Sequence, residues 1–317
     1  MLRCAIIDDY QDAAKDFADW SALGPGIEVV TFREHLGARS AVVKALADFD
    51  IIIAMRERTP FDQPTLSGLK RLSLLVTTGL KNAAIDVKAA EAQGVTVCGT
   101  PGDHNSTVEL TWALILAAMR NICAEHRAMR AGGWQVAVGR SLRGRRLAVL
   151  GLGNIGLKVA RIGRAFGMNV TAWSPNLTVE RCMEAGVEMV PSLEALCSDA
   201  DVLTIHLALG ETTRGIMRRE HLRALPRHAW LINAARAHLV DEDALMEALE
   251  AKWFAGAALD VFHQEPLPKD HKLRRMEHVL ATPHIGYVAD KGYRKYYSGA
   301  VEVILAWRNG QPINLIR

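Results

Sequence analysis

Short apolar runs alternate with amphipathic segments over the first hundred residues of the chain. Runs typical of buried strands lie at residues 4–7, 27–31, 51–54, 74–77 and 95–98, and helical segments such as 40–47 and 86–93 separate them. Strands of a parallel sheet are buried on both faces, so they are apolar throughout rather than at every second position. The pattern therefore predicts a doubly wound α/β domain, with helices on both faces of a parallel sheet.

A second alternating series starts near residue 146. It predicts seven more strands, at residues 147–150, 169–173, 187–190, 202–206, 230–233, 256–261 and 279–281. Between the two series lies a helical stretch, residues 106–130, which is apolar nearly all round over its first turns. Such a helix must be buried, either in the core of the chain or in a subunit interface. Residues 291–309 predict one last helix.

Two such series predict two tandem doubly wound domains, with a boundary near Thr100-Pro101-Gly102. The length agrees, because a chain of 317 residues at ~100–200 residues per domain makes about two domains. We expect the last helix to return to the first domain. One domain is then residues 1–100 with 288–317, and the other is residues 101–287.

Composition and charge exclude several classes of protein. The 38 Lys and Arg against 35 Asp and Glu give a net charge of +3, which is too small to indicate nucleic-acid binding. Five cysteines without a C-x-x-C pair are typical of reduced thiols in the cytoplasm. The first residues hold no signal-peptide core, and the longest apolar stretch, residues 110–119, is well short of the ~18 residues of a membrane span. A cytoplasmic protein with neither membrane nor nucleic acid as partner is expected.

A glycine-rich turn follows the first strand of the second series. The turn reads Gly151-Leu152-Gly153-Asn154-Ile155-Gly156, and the helical segment 157–166 follows it. In a G-x-G-x-x-G turn between strand and helix, the glycines permit the tight turn, the close approach of a pyrophosphate and the packing of helix on strand. The helix N-terminus then offers its N–H groups to the phosphates. We therefore predict that Gly151, Gly153, Asn154, Ile155 and Gly156 bind a dinucleotide.

The end of the next strand bears on the choice between NAD and NADP. An Asp or Glu about 20 residues after the glycine turn binds the ribose diol of NAD. Ser174 stands eighteen residues beyond Gly156, where that acid is expected, and no Arg or Lys lies nearer than Arg181. Ser174 would not repel a 2′-phosphate, but no obvious clamp for one is present. The cofactor is predicted to be NAD or NADP, with the preference open and NADP acceptable.

Three further polar segments follow predicted strands of the second series. They contain Arg236, Glu265 and His284. Ligands of open α/β sheets bind at the carboxyl ends of the strands, so the three side chains are expected at one edge. Each residue alone is more often a solvated or core residue. Their joint occurrence downstream of a dinucleotide turn makes them candidates for catalysis.

These motifs together resemble the D-isomer-specific 2-hydroxyacid dehydrogenases, over nearly the whole chain. The stretches that carry the resemblance are 77–86, 94–100, 151–156, 232–236, 259–262, 265–268 and 282–286. The resemblance implies a flavodoxin-like substrate domain, residues 1–100 with 288–317, and a Rossmann NAD(P)-binding domain, residues 101–287. It also implies that Arg236, Glu265 and His284 are the catalytic residues. Ser174 is the departure, since many members carry Asp there.

The same resemblance implies roles for residues around these motifs. In the cofactor domain it assigns His206 to the adenine side and Ala234 and Asp260 to the neighbourhood of the nicotinamide, and it counts Gly286 among the cofactor-binding residues. In the first domain it assigns loops that bind the substrate carboxylate, partly through backbone N–H groups. The residues there are Arg56, Gly79, Leu80 and Asn82.

The chemistry of these residue types agrees with that assignment. Reduction of a 2-keto acid to a D-2-hydroxy acid needs a hydride on carbon, which NAD(P)H supplies, and a proton on oxygen. His284 is a natural proton donor because the ordinary pKa of histidine is near 6.5, and Glu265 beside it would favour the imidazolium form. Arg236 offers a planar fork that binds a carboxylate and polarises a carbonyl group.

Several alternatives remain open from the sequence. One is a phosphoglycerate dehydrogenase of the same family, and another is a non-catalytic scaffold that senses dinucleotides, because fold does not fix function. Formate oxidation is disfavoured, because that branch pairs its His with Gln where this chain has Glu265. No metal is expected, since no zinc spacing occurs and the set Asp260, His263 and Glu265 is a weak candidate. A homodimer is predicted, formed through residues 106–130.

Overall fold

The structure is a computed structural model that describes all 317 residues. The chain folds into two compact units, which we call unit 1 and unit 2. Unit 1 is formed by Met1–Asp103 together with Val288–Arg317, and unit 2 is formed by His104–Tyr287.

Unit 1 is a parallel sheet of five strands with helices around it. The strands are β1 (Leu2–Ile6), β2 (Ile27–Thr31), β3 (Ile51–Ala54), β4 (Leu74–Thr78) and β5 (Thr96–Thr100), and their order is β2-β1-β3-β4-β5. The helices are α1 (Ala14–Phe17), α2 (Arg39–Leu46), α3 (Gln63–Gly68), α4 (Val87–Ala92) and the C-terminal α12 (Asp290–Arg308). Every strand pairing is parallel. A parallel sheet with this strand order is a doubly wound sheet, as the sequence predicts.

The burial pattern of unit 1 explains the apolar runs. All residues of β3 and β4 are buried. One face packs on α2 and α3 through residues such as Val42, Leu46 and Leu66. The C-terminal helix α12 packs against β4 and β5, and its Tyr297 is completely buried.

Unit 2 is a parallel sheet of seven strands. The strands are β6 (Arg146–Leu150), β7 (Asn169–Trp173), β8 (Glu188–Met189), β9 (Val202–Ile205), β10 (Trp230–Asn233), β11 (Gly256–Leu259) and β12 (Val279–Ala281), in the order β12-β11-β10-β9-β6-β7-β8. The helices are α5 (Asn105–Met119), α6 (Ile122–Arg130), α7 (Asn154–Ala165), α8 (Val179–Ala185), α9 (Leu193–Ser198), α10 (Arg219–Ala224) and α11 (Glu242–Glu250). Two apolar clusters pack on opposite faces of this sheet.

The predicted strands are all present, with shifts at their ends. The strand predicted at 187–190 shortens to Glu188–Met189, and the one predicted at 256–261 ends at Leu259. The helix predicted to start at residue 157 begins at Asn154, inside the glycine turn. The fold class predicted from the sequence is correct.

The helix predicted at 106–130 is wrong as a single element. The chain breaks after Met119 into α5 and α6, bent by 64°, and Asn121 between them adopts the left-handed conformation with φ 53°. Asparagine is one of the few residues that tolerate this region. Helix α5 is buried in the core of unit 2 through residues such as Trp112 and Ile115, whereas α6 has no buried residue.

No single helix of the chain is long and apolar enough to cross a membrane. The bent pair α5 and α6 passes such a test only when the two are counted together, by length and composition. A buried core helix passes the same test, and α5 is one.

Candidate active site

The glycine turn joins β6 to α7 and forms one end of an open groove in unit 2. Gly151 has a φ of +99°, and a Cβ at Gly156 would lie 1.9 Å from the carbonyl oxygen of Gly151. These two glycines are therefore required by the turn and by its packing. At Gly153, by contrast, nothing lies within 4 Å of an added Cβ. The open surface at Gly153, beside the N-terminal turn of α7, fits a pyrophosphate.

The groove continues from the glycine turn along the ends of β7 and β9. Ser174, Asn176, Leu177, Thr178, Arg181, His206, Leu207 and Ala208 line it. The predicted residues Ser174 and His206 thus share one groove with Gly151 and Gly153. Asn154 and Ile155 are the first two residues of α7 beside it.

His206 is a neutral residue in this groove. Burial lowers its pKa to about 3, because desolvation disfavours the charged ring. Its Nε2 lies 2.8 Å from Oγ1 of Thr204. At neutral pH the ring is therefore a hydrogen-bonding group without charge.

Glu265 and His284 form a close pair at the edge of the same sheet. Nδ1 of His284 lies 2.6 Å from Oε2 of Glu265, and both side chains are largely but not fully buried, with exposures of 16% and 23%. The other carboxylate oxygen of Glu265 accepts a hydrogen bond from the N–H of Phe262 at 2.9 Å. A carboxylate so held fixes the ring orientation of His284.

Asp260 lies beneath the loop that carries His284. It is fully buried, and its carboxylate accepts hydrogen bonds from Oγ1 of Thr282 and from the N–H groups of Ile285 and Gly286, at 2.7, 2.8 and 2.8 Å. Burial raises the pKa of Asp260, while these donors and the nearby His284 act in the opposite direction. The sequence assigned Asp260 and Gly286 to cofactor binding, and the structure has them bonded to each other as a support of this loop.

Arg236 follows β10, the neighbour of β11 in the sheet. Its Nη1 donates to the carbonyl oxygen of Ala235 at 2.8 Å. The side chain of Asn233 bridges the turn, accepting from the N–H of Ala235 and donating to the carbonyl of Arg236, both at 3.0 Å. Ala234, inside this turn, is buried. Because β10, β11 and β12 are adjacent and parallel, Arg236, Glu265 and His284 all follow the same edge of the sheet.

The four predicted substrate residues lie together at one edge of unit 1. Arg56 follows β3 with a φ of 52°, and its Nη1 donates to the carbonyl oxygen of Thr78 at 3.2 Å. Asn82 donates to the carbonyl oxygen of Arg56 at 2.7 Å. Gly79 has a φ of +110°, a backbone conformation that residues other than glycine rarely adopt. Leu80 beside it is 56% exposed.

Comparison with known proteins identifies the family. Residues 112–286 match the model of the D-isomer specific 2-hydroxyacid dehydrogenase, NAD binding domain. The chain belongs to this family. It is 32% identical to a glyoxylate reductase of Korarchaeum cryptofilum, over 88% of this chain and 86% of that protein.

Two further relatives of the dehydrogenase extend the comparison. This chain is 36% identical to a D-3-phosphoglycerate dehydrogenase of Methanocaldococcus jannaschii, over 78% of this chain but 48% of that protein. The chain therefore spans about half the length of that relative. The crystal structure of a phosphoglycerate oxidoreductase from Vibrio cholerae superimposes with a TM-score of 0.94 at 34% identity, covering 98% of this chain and 100% of that one.

A buried cluster at the end of β1 in the dehydrogenase was not expected from the sequence. Asp8 is 2% exposed and has a φ of 59°. Its carboxylate accepts from Thr59 at 2.7 Å and from Tyr10 at 3.1 Å, and it lies 3.1 Å from Nδ1 of His35. The cluster lies where β2 and β3 flank β1, the point at which successive strands are added to opposite sides of the sheet. The available signal was an acid directly after an apolar strand.

The dehydrogenase also contains threonines whose role the sequence did not indicate. Thr282 bonds Asp260, and Thr107 of α5 donates from Oγ1 to the carbonyl oxygen of Gly286 at 3.0 Å. Both hydroxyls fasten the loop of His284. The structure contains no group of three His, Cys, Asp or Glu side chains arranged to hold a metal ion.

Proposed function

We propose that this dehydrogenase interconverts a small 2-keto acid and the corresponding D-2-hydroxy acid, with Arg236, Glu265 and His284 as its catalytic residues. The observation that carries the proposal is the 2.6 Å contact between His284 and Glu265. It lies at the sheet edge that Arg236 also follows, in the unit that contains the glycine turn. A supported imidazole is a proton donor and acceptor of the kind this reaction requires.

His284 exchanges the proton with the substrate oxygen. Its Nδ1 is held by Glu265, so we assign the transferred proton to Nε2. When bound, NAD(P)H supplies the hydride that reaches the carbonyl carbon. Protonation of the oxygen by imidazolium completes the hydroxy acid, and neutral His284 takes the same proton back in the oxidation. Such acid–base assistance contributes ~10²–10⁴-fold to the rate.

Arg236 binds the carboxylate of the substrate and polarises its carbonyl group. The bond to Ala235 and the side chain of Asn233 fix the turn that carries the guanidinium. A planar cation fixed in this way can donate two parallel hydrogen bonds to a carboxylate. In unit 1 we assign the side chain of Arg56, and the backbone of Gly79 and Leu80 with Asn82 as their support, to substrate binding.

Glyoxylate is the first substrate to test, because one relative matched over most of its length is a glyoxylate reductase. Phosphoglycerate oxidation is the second candidate, and the 36% identity to a phosphoglycerate dehydrogenase favours it. Glyoxylate is a shorter acid without a phosphate group, and it is assayed as an oxidant whereas phosphoglycerate is assayed as a reductant, so a single panel separates the two activities.

The experiment is a spectrophotometric assay at neutral pH with NADH and NADPH. The panel contains glyoxylate, hydroxypyruvate, pyruvate and bulkier 2-keto acids, with 3-phosphoglycerate and the oxidised cofactors in the reverse direction. We expect turnover on at least one 2-keto acid and its loss in His284→Gln. Tight dinucleotide binding without turnover on any of them would support the scaffold function instead.

We also propose that the protein is a homodimer. Helix α6 has no buried residue, and large apolar side chains on α6 and the segment after it are exposed. They are Ile122, Met129, Trp134, Val136 and Val138, exposed by 53%, 54%, 71%, 58% and 94%. Apolar surface clustered in this way is typical of a protein–protein contact. A second copy of the chain is the partner that we propose.

The proposed location is the cytoplasm. All five cysteines are free thiols, and four of them are buried. Burial raises the pKa of Cys4 and of Cys197 to about 12, so these thiols are unreactive. An odd number of free thiols suits a reducing compartment.

A further inference from the structure

The groove beside the glycine turn contains hydrogen-bond donors and a cation but no acid. At the end of β7 its lining includes Ser174, Asn176, Thr178 and Arg181, and no Asp or Glu lines it. A ribose diol is held in such domains by a carboxylate that accepts hydrogen bonds. A 2′-phosphate is itself an acceptor and needs donors and positive charge. The side chains of this groove therefore match the phosphate rather than the diol.

The side chain of Arg181 reaches this groove because of its position in α8. Thr178 caps the helix, its Oγ1 accepting from the N–H of Arg181 at 3.3 Å. Helical side chains lean towards the N-terminus of their helix, so Arg181 extends back towards the glycine turn. There its Nε donates to the carbonyl oxygen of Leu152 at 3.3 Å. The guanidinium is thus held next to the glycine turn, at the edge of the groove.

Arg181 is the one cationic side chain that lines the groove at neutral pH. His206 lines it too, but its ring is neutral because burial lowers its pKa to about 3. The ionic partner of Arg181 is Glu184, with Nη1 at 3.5 Å from Oε2 and the carboxylate side chain 68% exposed. A solvent-exposed pair of this kind is weak, so a phosphate dianion can compete for the guanidinium.

We propose that Arg181 is a specificity-determining residue of this dehydrogenase, which binds the 2′-phosphate of NADP(H) and makes it the preferred cofactor. Ser174 and Asn176 add uncharged donors on the same side of the groove. The inference rests on the proposed dinucleotide-dependent activity and adds the identity of the dinucleotide. It concerns binding, so it can be measured without turnover.

The test is calorimetric titration with adenosine 2′,5′-bisphosphate and with 5′-AMP, which share the adenosine and differ in the 2′-phosphate. The wild-type protein is expected to bind the bisphosphate at least ~10-fold more tightly, and Arg181→Gln to weaken that binding by about 10- to 100-fold. The affinity of Arg181→Gln for 5′-AMP is expected to stay within about twofold of the wild-type value, which would show that the glycine turn is intact. Arg161→Gln, an exposed arginine of α7 outside the groove, is the matched control and changes neither affinity.

Two more variants sharpen the test. Ser174→Asp supplies the missing acceptor and is expected to reverse the cofactor preference. Its affinity for the bisphosphate should fall and its affinity for NADH should rise. Glu184→Gln removes the competing carboxylate and is expected to raise the affinity for the bisphosphate by about twofold to fivefold.

Equal affinities of the wild-type protein for the two nucleotides, or equal losses in Arg181→Gln, would overturn the role of Arg181. If 2-keto acids are then still reduced with NADH, the proposed function stands without it. Binding of neither nucleotide would overturn both proposals together.

Discussion

At the scale of single residues, His284 is held from two directions. Glu265 binds its ring at 2.6 Å, and Asp260 binds the loop on which it stands through three hydrogen bonds. The backbone of His284 has a φ of 54°, a conformation that costs about 1–3 kcal/mol and persists only where the surrounding structure enforces it. Asp260 and Thr107 provide that enforcement, so the position of the imidazole depends on residues that bond the backbone and Thr282 of its loop rather than the ring itself.

Arg236→Lys tests whether the guanidinium acts through its shape or its charge. Lysine keeps the positive charge but cannot form the planar two-donor contact with a carboxylate. We expect kcat/KM for the preferred 2-keto acid to fall by about 10- to 100-fold, with dinucleotide binding unchanged. Steady-state kinetics measure the effect, and near-wild-type turnover would remove Arg236 from the proposed role.

His206 makes the stability of unit 2 depend on pH. Its pKa falls from 6.5 in the unfolded chain to about 3 in the folded one, so below pH ~6.5 the unfolded state binds a proton that the folded state does not. Its contribution is therefore full above pH ~6.5 and is lost as the pH falls, by up to ~1.4 kcal/mol per pH unit.

Urea unfolding at pH 7 and pH 5 measures this dependence. The free energy of unfolding of the wild type is expected to drop by up to about 2 kcal/mol more than that of His206→Gln. His104→Gln, at an exposed histidine, should keep the slope of the wild type. Equal slopes for all three proteins would mean that His206 takes up its proton at the same pH in the folded and the unfolded chain, which contradicts a lowered pKa.

At the scale of elements, two glycines of the same turn have different roles: Gly156 is needed for packing, and Gly153 leaves space for the pyrophosphate. A methyl group at Gly156 would lie 1.9 Å from a backbone oxygen, whereas one at Gly153 meets nothing within 4 Å. Gly156→Ala therefore forces the backbone to move and is expected to destabilise the protein by about 2–4 kcal/mol. Gly153→Ala should fold normally but place its methyl group where the pyrophosphate binds.

Thermal denaturation and calorimetric titration with 5′-AMP and NADPH check this pair of variants. Gly153→Ala is expected to keep its melting temperature within about 2 °C and to lose affinity for NADPH. Gly156→Ala, by contrast, should have a lowered melting temperature. A Gly153→Ala protein with undiminished affinity would place the pyrophosphate elsewhere.

Elements with a simple apolar pattern were predictable from the sequence, and the α5–α6 break was not. The strands follow from their runs of buried residues, because each strand is covered on both faces. Residues 106–130 contain neither glycine nor proline, so the residues that most often end a helix are missing. Asn121 turns the chain because α5 packs in the core and α6 does not, which is a tertiary cause.

Some residues of the candidate site could likewise be predicted from the sequence, and others could not. Arg236, Glu265 and His284 could be named because each follows a strand, and parallel strands end at a common edge. The support from Thr107 could not be named, because this residue lies 179 positions from its partner Gly286. Contacts between such distant residues depend on the completed fold, and local patterns carry no record of them.

At the scale of the whole molecule, the exposed surface of α6 and residues 134–138 predicts assembly. We expect light scattering to give twice the 34.8 kDa of one chain at concentrations of ~10 μM, since interfaces of this apolar kind are stable there. Trp134→Asp with Val136→Asp should give a monomer. Met183→Asp changes an equally exposed residue of α8 and should leave the dimer intact.

Unit 1 is built from two stretches of chain separated by the whole of unit 2. All its strands are synthesised by Thr100, but α12, which packs on β4 and β5 and buries Tyr297, comes only after Tyr287. During synthesis the contiguous unit 2 can therefore complete its fold first, while one face of the earlier sheet stays open. The nascent chain thus carries an uncovered apolar surface for most of its elongation, the condition under which chaperones engage a polypeptide.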